Sequence, residues 1–145
     1  MKQKYMDVYE FDDDKRRLNF KVLEKWLSKV YWSLKIKADE IKKGSLNSTT
    51  VVGCYSDSEQ VGFLRVVSDK TRFAYIMDVY VDEAHRKKGI AKNMVSFAIT
   101  NPELKDVYQW VLATKCEHSI YKKVGFVPLP NPEKWMIFKK EKIRH

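Results

Sequence analysis

Cysteine is scarce in this chain: 145 residues contain two, Cys54 and Cys116, with no C-x-x-C pair and no histidine cluster beside either. A zinc site needs such clustered ligands, so no metal is expected and both cysteines read as free thiols. Each is expected to be a small packed side chain. A thiol acidified near a helix start leaves a nucleophilic Cys116 as the lesser alternative. Long apolar runs are also missing, since none approaches the roughly 20 residues of a membrane span. Residues 1–7, MKQKYMD, carry charge with no apolar stretch behind it, so no secretory signal is expected and the cytoplasm is the default location. No internal repeat or low-complexity tract is visible.

What is present fits one ordinary α/β domain over residues 1–145, large enough to bury a core unaided. Hydrophobic residues make up 44% and aromatics 13%, which excludes disorder. Twenty-eight Lys and Arg against 19 Asp and Glu give a net charge of +9, so a polyanionic partner is expected. The basic residues are spread along the chain and interleaved with acids, which makes specific nucleic-acid binding the second choice behind a small anionic ligand.

The chain begins with imperfect alternation over residues 6–11, read as a first strand. Val22, Leu23, Trp26, Leu27, Val30 and Tyr31 then recur at helical spacing behind Asn19, a natural N-cap. A second short helix should end at Gly44 as its C′ residue. Residues 49–55, 60–67 and 71–81 are β-rich and predict an antiparallel meander. In the third strand, alternation places Phe73, Tyr75, Met77, Val79 and Val81 on one face and Arg72, Ala74, Ile76, Asp78 and Tyr80 on the other. Asp78 is the only acid there. Ile90, Ala91, Met94, Val95, Ala98 and Ile99 form one helical stripe that Asn101-Pro102 ends. Residues 107–113 read as a strand, 116–123 as a short helix stopped by Gly125, and 126–127 as a strand start broken by Pro128, Pro130 and Pro132. Residues 135–138 read as the last strand, and 139–145 as a fraying end.

One stretch stands out for chemistry. Arg86-Lys87-Lys88-Gly89-Ile90-Ala91 follows an apolar strand and opens a helix whose first N–H groups have no internal partner. Those donors, the positive end of the helix dipole and three basic side chains suit phosphate. Gly89 permits close backbone approach and positive φ. The turn reads as a pyrophosphate cradle, with Lys92 in the first helical turn beside it.

Some 30 residues later, Tyr121-Lys122-Lys123-Val124-Gly125-Phe126 supplies a Tyr late in a short helix, a Gly at its stop and an aromatic beyond. Together, R-x-x-G-x-A and this second motif resemble the GNAT N-acetyltransferases, from about Tyr5 to the C-terminus. The resemblance implies a mixed sheet flanked by helices and splayed between the strand ending at Val81 and the one starting at Val107. It implies acetyl-CoA as co-substrate, with its pyrophosphate on residues 86–92 and its pantetheine arm on the backbone of Val79, Tyr80 and Val81. Lys87 departs from the pattern, because many members carry a second Gly there.

The same resemblance makes Tyr121 the general acid for the departing thiolate. A phenol of pKa near 10 is protonated at neutral pH and able to donate. Asp78 is the candidate base, with a substrate-ammonium ligand and a structural ion pair as the alternatives, since a lone buried charge is too costly to leave unpaired. His118, one turn before Tyr121, could contact substrate or merely be hydrogen-bonded. Trp32 and Trp135 could wall an amine pocket or belong to the core. The reaction implied is direct attack by a primary amine, on a small molecule or a protein, in a ternary complex formed by a monomer or homodimer. Acetyl-CoA binding without efficient transfer and a basic nucleic-acid-binding module are the alternatives.

Overall fold

The computed structural model describes residues 1–145. Six strands, β1 (Lys2–Tyr5), β2 (Tyr9–Asp12), β3 (Thr50–Ser56), β4 (Glu59–Ser68), β5 (Ala74–Val81) and β6 (Trp110–Leu112), lie in sequence order across one sheet. The first five are antiparallel and β6 alone runs parallel to its neighbour. Helices α1 (Phe20–Leu27) and α2 (Ala38–Leu46) cover one face. Helices α3 (Ile90–Ile99) and α4 (His118–Lys122) cover the other. No helix is long and apolar enough to cross a membrane.

Each face has its own core. Under α3 and α4, Phe11, Val52, Leu64, Val66 and Ile76 meet Met94, Val95, Phe97 and Tyr121. On the opposite side, Leu23, Trp26 and Leu27 of α1 and Ile41 of α2 meet Val51 and Phe63. Asn19 caps α1 as expected, its side chain accepting from the N–H groups of Lys21 and Val22. The helix stops at Leu27, and Tyr31, expected to extend its apolar stripe, stands exposed in a 3₁₀ turn. Gly44 is no C′ residue. It lies inside α2, which runs on to Leu46 and is capped at Asn47.

Residues 6–11 are not one strand. Met6 and Asp7 take left-handed φ of 53° and 58° and make the tight turn of a hairpin joining β1 to β2. Left-handed positions in hairpin loops are usually filled by Gly or Asn, so Met-Asp gave no warning. The alternation expected for β5 also fails. The pairing of β4 with β5 slips between Phe63 and Arg65, leaving a bulge at which Asp78 has φ of 57°. A bulged residue turns later side chains over. Val79 and Val81 therefore join Ala74 and Ile76 on the α3 face, while Asp78 and Tyr80 face α1.

The C-terminal region departs most. The strand expected over 107–113 is reduced to β6, and neither 126–127 nor 135–138 forms a strand. Three prolines, which have no N–H to give to a ladder, and Asn131, at φ of 50°, interrupt the stretch between these two segments. Cys54 is buried as expected, but Cys116 is exposed.

Candidate functional site

β6 pairs with β5 only at Ala74, Tyr75 and Ile76. Beyond Ile76 the two strands part, so the edge of β5 through Val79, Tyr80 and Val81 has no strand partner on the β6 side. Backbone donors and acceptors along such an edge demand a partner. The splay falls where sequence placed it, but opens earlier along β5.

The edge leads into the basic turn. Gly89 is the N-cap of α3, at φ of 76°, and has no side-chain oxygen to cap the N–H groups of Ile90, Ala91 and Lys92. Those donors stay available. Lys87 also takes a left-handed φ, 65°, which is the strain implied by its replacing a glycine. Lys87 and Lys88 are exposed. Ile90 contributes only backbone, because its side chain is buried in the core beneath α3. Arg86 turns back: its Nε donates to the Val81 carbonyl at 2.9 Å and its guanidinium lies 5.2 Å from the Tyr80 ring centre. The remaining guanidinium N–H groups can still face an anion.

Two contacts that the sequence did not reveal hold this turn. The Tyr5 hydroxyl donates to the Lys88 carbonyl at 2.6 Å, and Tyr9 shares a 2.8 Å hydrogen bond with Nδ1 of His85. Tyr5 stacks in turn on Phe11 and Tyr9. A β-carbon on Gly89 would lie 2.7 Å from the Tyr5 oxygen. The glycine is needed for space as well as for φ.

Asp78 and Trp32, separate candidates in sequence, meet. The Trp32 indole N–H donates to one Asp78 oxygen at 2.9 Å and Arg65 Nε to the other at 2.8 Å. Arg65 could have been anticipated: it is the only base within the apolar run 60–67, as Asp78 is the only acid of the run beside it. Trp32 is 45% exposed and meets Tyr31 edge-on, so it stands at the surface instead of in a core. Trp26 stacks on Tyr80, linking α1 to the splayed strand.

Tyr121 lies on the other face. It is 4% exposed, and burial pushes its phenol up to about 12, so it keeps its proton at neutral pH. With His118 and Trp135 it lines a trough of about 720 Å³ beside β6. His118 is exposed and hydrogen-bonds through Nε2 to the Thr114 carbonyl at 3.2 Å. The backbone carbonyl of Tyr121 accepts from Phe126 N–H, so the chain turns sharply around Gly125, at φ of 109°.

The geometry thus joins an unpartnered strand edge to a donor-rich helix start, with a protonated phenol on one face and a carboxylate–indole pair on the other. Among known proteins, the family model of the acetyltransferase (GNAT) domain matches residues 47–128. A protein from Xanthomonas campestris pv. campestris, assigned to the GNAT acetyltransferases, superposes with a TM-score of 0.85 at 28% identity, over 94% of this chain and 96% of that one. The fold is shared with an acetyltransferase-like protein of Deinococcus radiodurans (TM-score 0.74, 17% identity, 97% and 94% covered). It is shared too with glucosamine-6-phosphate N-acetyltransferase from Arabidopsis thaliana (0.64, 14%, 92% and 98%). No curated protein matches by sequence. The chain belongs to the GNAT acetyltransferase family, whose general reaction is acetyl transfer from acetyl-CoA.

Proposed function

We propose that this protein moves an acetyl group from acetyl-CoA to a primary amine by direct attack in a ternary complex. The observation that carries the reading is the continuity of the free β5 edge with the uncapped start of α3. Backbone at Val79, Tyr80 and Val81 offers strand-like hydrogen bonds to the amide groups of a pantetheine arm. The N–H groups of Ile90, Ala91 and Lys92, with Arg86, Lys87 and Lys88, then receive the pyrophosphate. The fit is physical, because the turn supplies donors and positive charge, and Gly89 leaves room for close approach.

Acetyl-CoA supplies the activated acetyl group and the thiol leaving group. Tyr121 holds the proton that a departing sulfur needs, and its raised pKa keeps that proton in place at neutral pH. Asp78 belongs to the acceptor side. With one oxygen on Arg65 and the other on Trp32, its carboxylate is better suited to orient an ammonium than to take its proton. His118 lies on the Tyr121 side, where Nδ1 can contact a bound group while Nε2 donates to Thr114.

The deciding experiment is calorimetry with acetyl-CoA followed by turnover against a panel of amines. Binding in the micromolar range typical of enzyme substrates, with turnover of at least one amine, is expected. Binding of random duplex at physiological salt without acetyl-CoA binding would overturn the proposal. Tyr121→Phe should lower kcat by about 10²- to 10⁴-fold while the affinity for acetyl-CoA stays near wild type. An undiminished kcat would return Tyr121 to the packing account.

A further inference from the structure

We propose, resting on the acetyl-transfer reading above, that the acceptor is a small molecule carrying an anion as well as its amine. The anion is a carboxylate or phosphate several bonds from the nitrogen, and Lys115 receives it while Asp78 receives the nitrogen. A line of contacts across the splay joins the two. Lys115, in the loop after β6, lays its Nζ 5.5 Å from the centre of the Tyr31 ring. Tyr31 meets Trp32 edge-on at 5.1 Å, and Trp32 donates to Asp78 on β5. Cation, aromatic pair and carboxylate thus follow one another from one bank of the splay to the other.

The two ends of that line differ in what they lack. Asp78 is already balanced by Arg65, and its oxygens keep lone pairs for a further donor. Lys115 pairs with no carboxylate, not even with Glu117 two residues on. An exposed cation over an aromatic face is weakly held, whereas its hydrogen bond to a carboxylate or phosphate is charge-assisted and stronger. An anion arriving with the substrate therefore takes Lys115 from the ring. The neighbouring surface repeats the sign. Residues 25–38 contain Lys25, Lys29, Lys35 and Lys37 and no acid, and all four lysines are exposed and outside any ion pair. A polyamine or lysine-rich peptide is repelled by such a rim, while an anion is drawn to it.

Between the ends lies an apolar platform. Tyr31, Trp32 and Leu34 are 65%, 45% and 55% exposed, although the connection that carries them is braced. The Lys35 N–H donates to the Ser28 carbonyl at 2.8 Å, the Ser33 hydroxyl to the Leu27 carbonyl at 2.7 Å, and the Ala38 N–H to the Glu24 carboxylate at 2.6 Å. Large apolar side chains held outward by a fixed loop mark a contact surface for a ligand. A short alkyl chain or ring joining amine to anion lies along Tyr31 and Trp32, with a charged partner at each end.

Intrinsic fluorescence of the full chain tests this, with coenzyme A present so that no acetyl group turns over and with Trp32→Phe to identify the signal of that indole. The probes are ε-aminocaproate and aminohexyl phosphate, titrated beside hexylamine and spermidine. Both anionic amines should bind about tenfold more tightly than hexylamine, the worth of one charged hydrogen bond, and whichever binds more tightly names the anion. Spermidine should bind most weakly, and the advantage of the anionic amines should shrink as salt is added. Lys115→Glu should abolish that advantage and Lys115→Arg should keep it. Equal affinity for hexylamine and the anionic amines, a preference for spermidine, an advantage that survives Lys115→Glu, or no binding of any of the four overturns the proposal. Turnover with acetyl-CoA is then measured on the same amines. Selective binding without acetylation would end the acetyl-transfer reading and leave the anion site standing, whereas acetylation of all four amines alike would do the reverse.

Discussion

At Gly89 two demands coincide: the backbone is left-handed at φ of 76°, and the Tyr5 hydroxyl occupies the space a β-carbon would need. The same hydroxyl fixes the Lys88 carbonyl, so the turn's carbonyl is held toward the N-terminal hairpin. Removing it by Tyr5→Phe should weaken acetyl-CoA binding by about the worth of one hydrogen bond, ~1 kcal/mol or roughly fivefold, with little change in kcat. Gly89→Ala should cost more, since it adds both the left-handed penalty and the clash. In the double variant the clash is relieved, because the next Tyr5 atom lies 3.9 Å from the added carbon. Calorimetry on the three variants should therefore show a double loss smaller than the sum of the single losses. Strict additivity would mean that Tyr5 and Gly89 do not act on one turn. None of this coupling could be read from sequence, because Tyr5 and Lys88 are 83 positions apart and their contact runs to a backbone carbonyl.

Among the elements, β5 shows where reading by periodicity works and where it stops. Helices α1 and α3 were legible because their apolar stripes, the Asn19 cap and the Asn101-Pro102 stop are local signals. The strand alternation was legible only as far as Ile76. The bulge at Asp78 arises from the register with β4, a non-local property, and it carries Asp78 to the same side as Arg65 and Trp32. Likewise β6 and residues 135–138 share a strand-like composition, yet only β6 pairs, since pairing too is a non-local property. The bulge gives a prediction at this scale. Asp78→Asn leaves Arg65, 19% exposed, without its anion and should destabilise the fold by about 1–3 kcal/mol, as for removal of a charged hydrogen-bond partner. Adding Arg65→Met should recover much of that loss, because no half-buried cation then lacks a partner. In the kinetics, a KM raised at nearly unchanged kcat supports the ammonium ligand. A fall in kcat with loss of the acidic limb of the pH–rate profile would make Asp78 the base instead.

For the whole molecule, three buried acids set the response to alkaline pH. Burial pushes the Cys54 thiol from 9.0 up to about 12, and the Tyr55 and Tyr121 phenols from 10.0 up to about 12. All three are neutral at pH 7 in folded and unfolded chain alike, so they contribute no pH dependence there. Above pH 9 the unfolded chain gives up the Cys54 proton while the folded chain retains it, and above pH 10 the two tyrosines behave likewise. Fewer protons bound to the unfolded state means stability falling as pH rises, by up to about 1.4 kcal/mol per pH unit for each group. Self-repulsion in a chain of net charge +9 is a separate electrostatic contribution. That effect is spread over both faces and both states, whereas the Cys54 contribution is tied to one buried site between β3 and α3. Urea unfolding of wild type and Cys54→Ala across pH 8 to 11 separates them. The variant should be less stable at pH 8 by about 1 kcal/mol for its small cavity, and the gap should close or reverse by pH 10, where the wild type alone carries the thiol penalty. A gap that stays constant across the range would show that Cys54 ionises as readily in the folded chain as in the unfolded one, and that the core under α3 admits water.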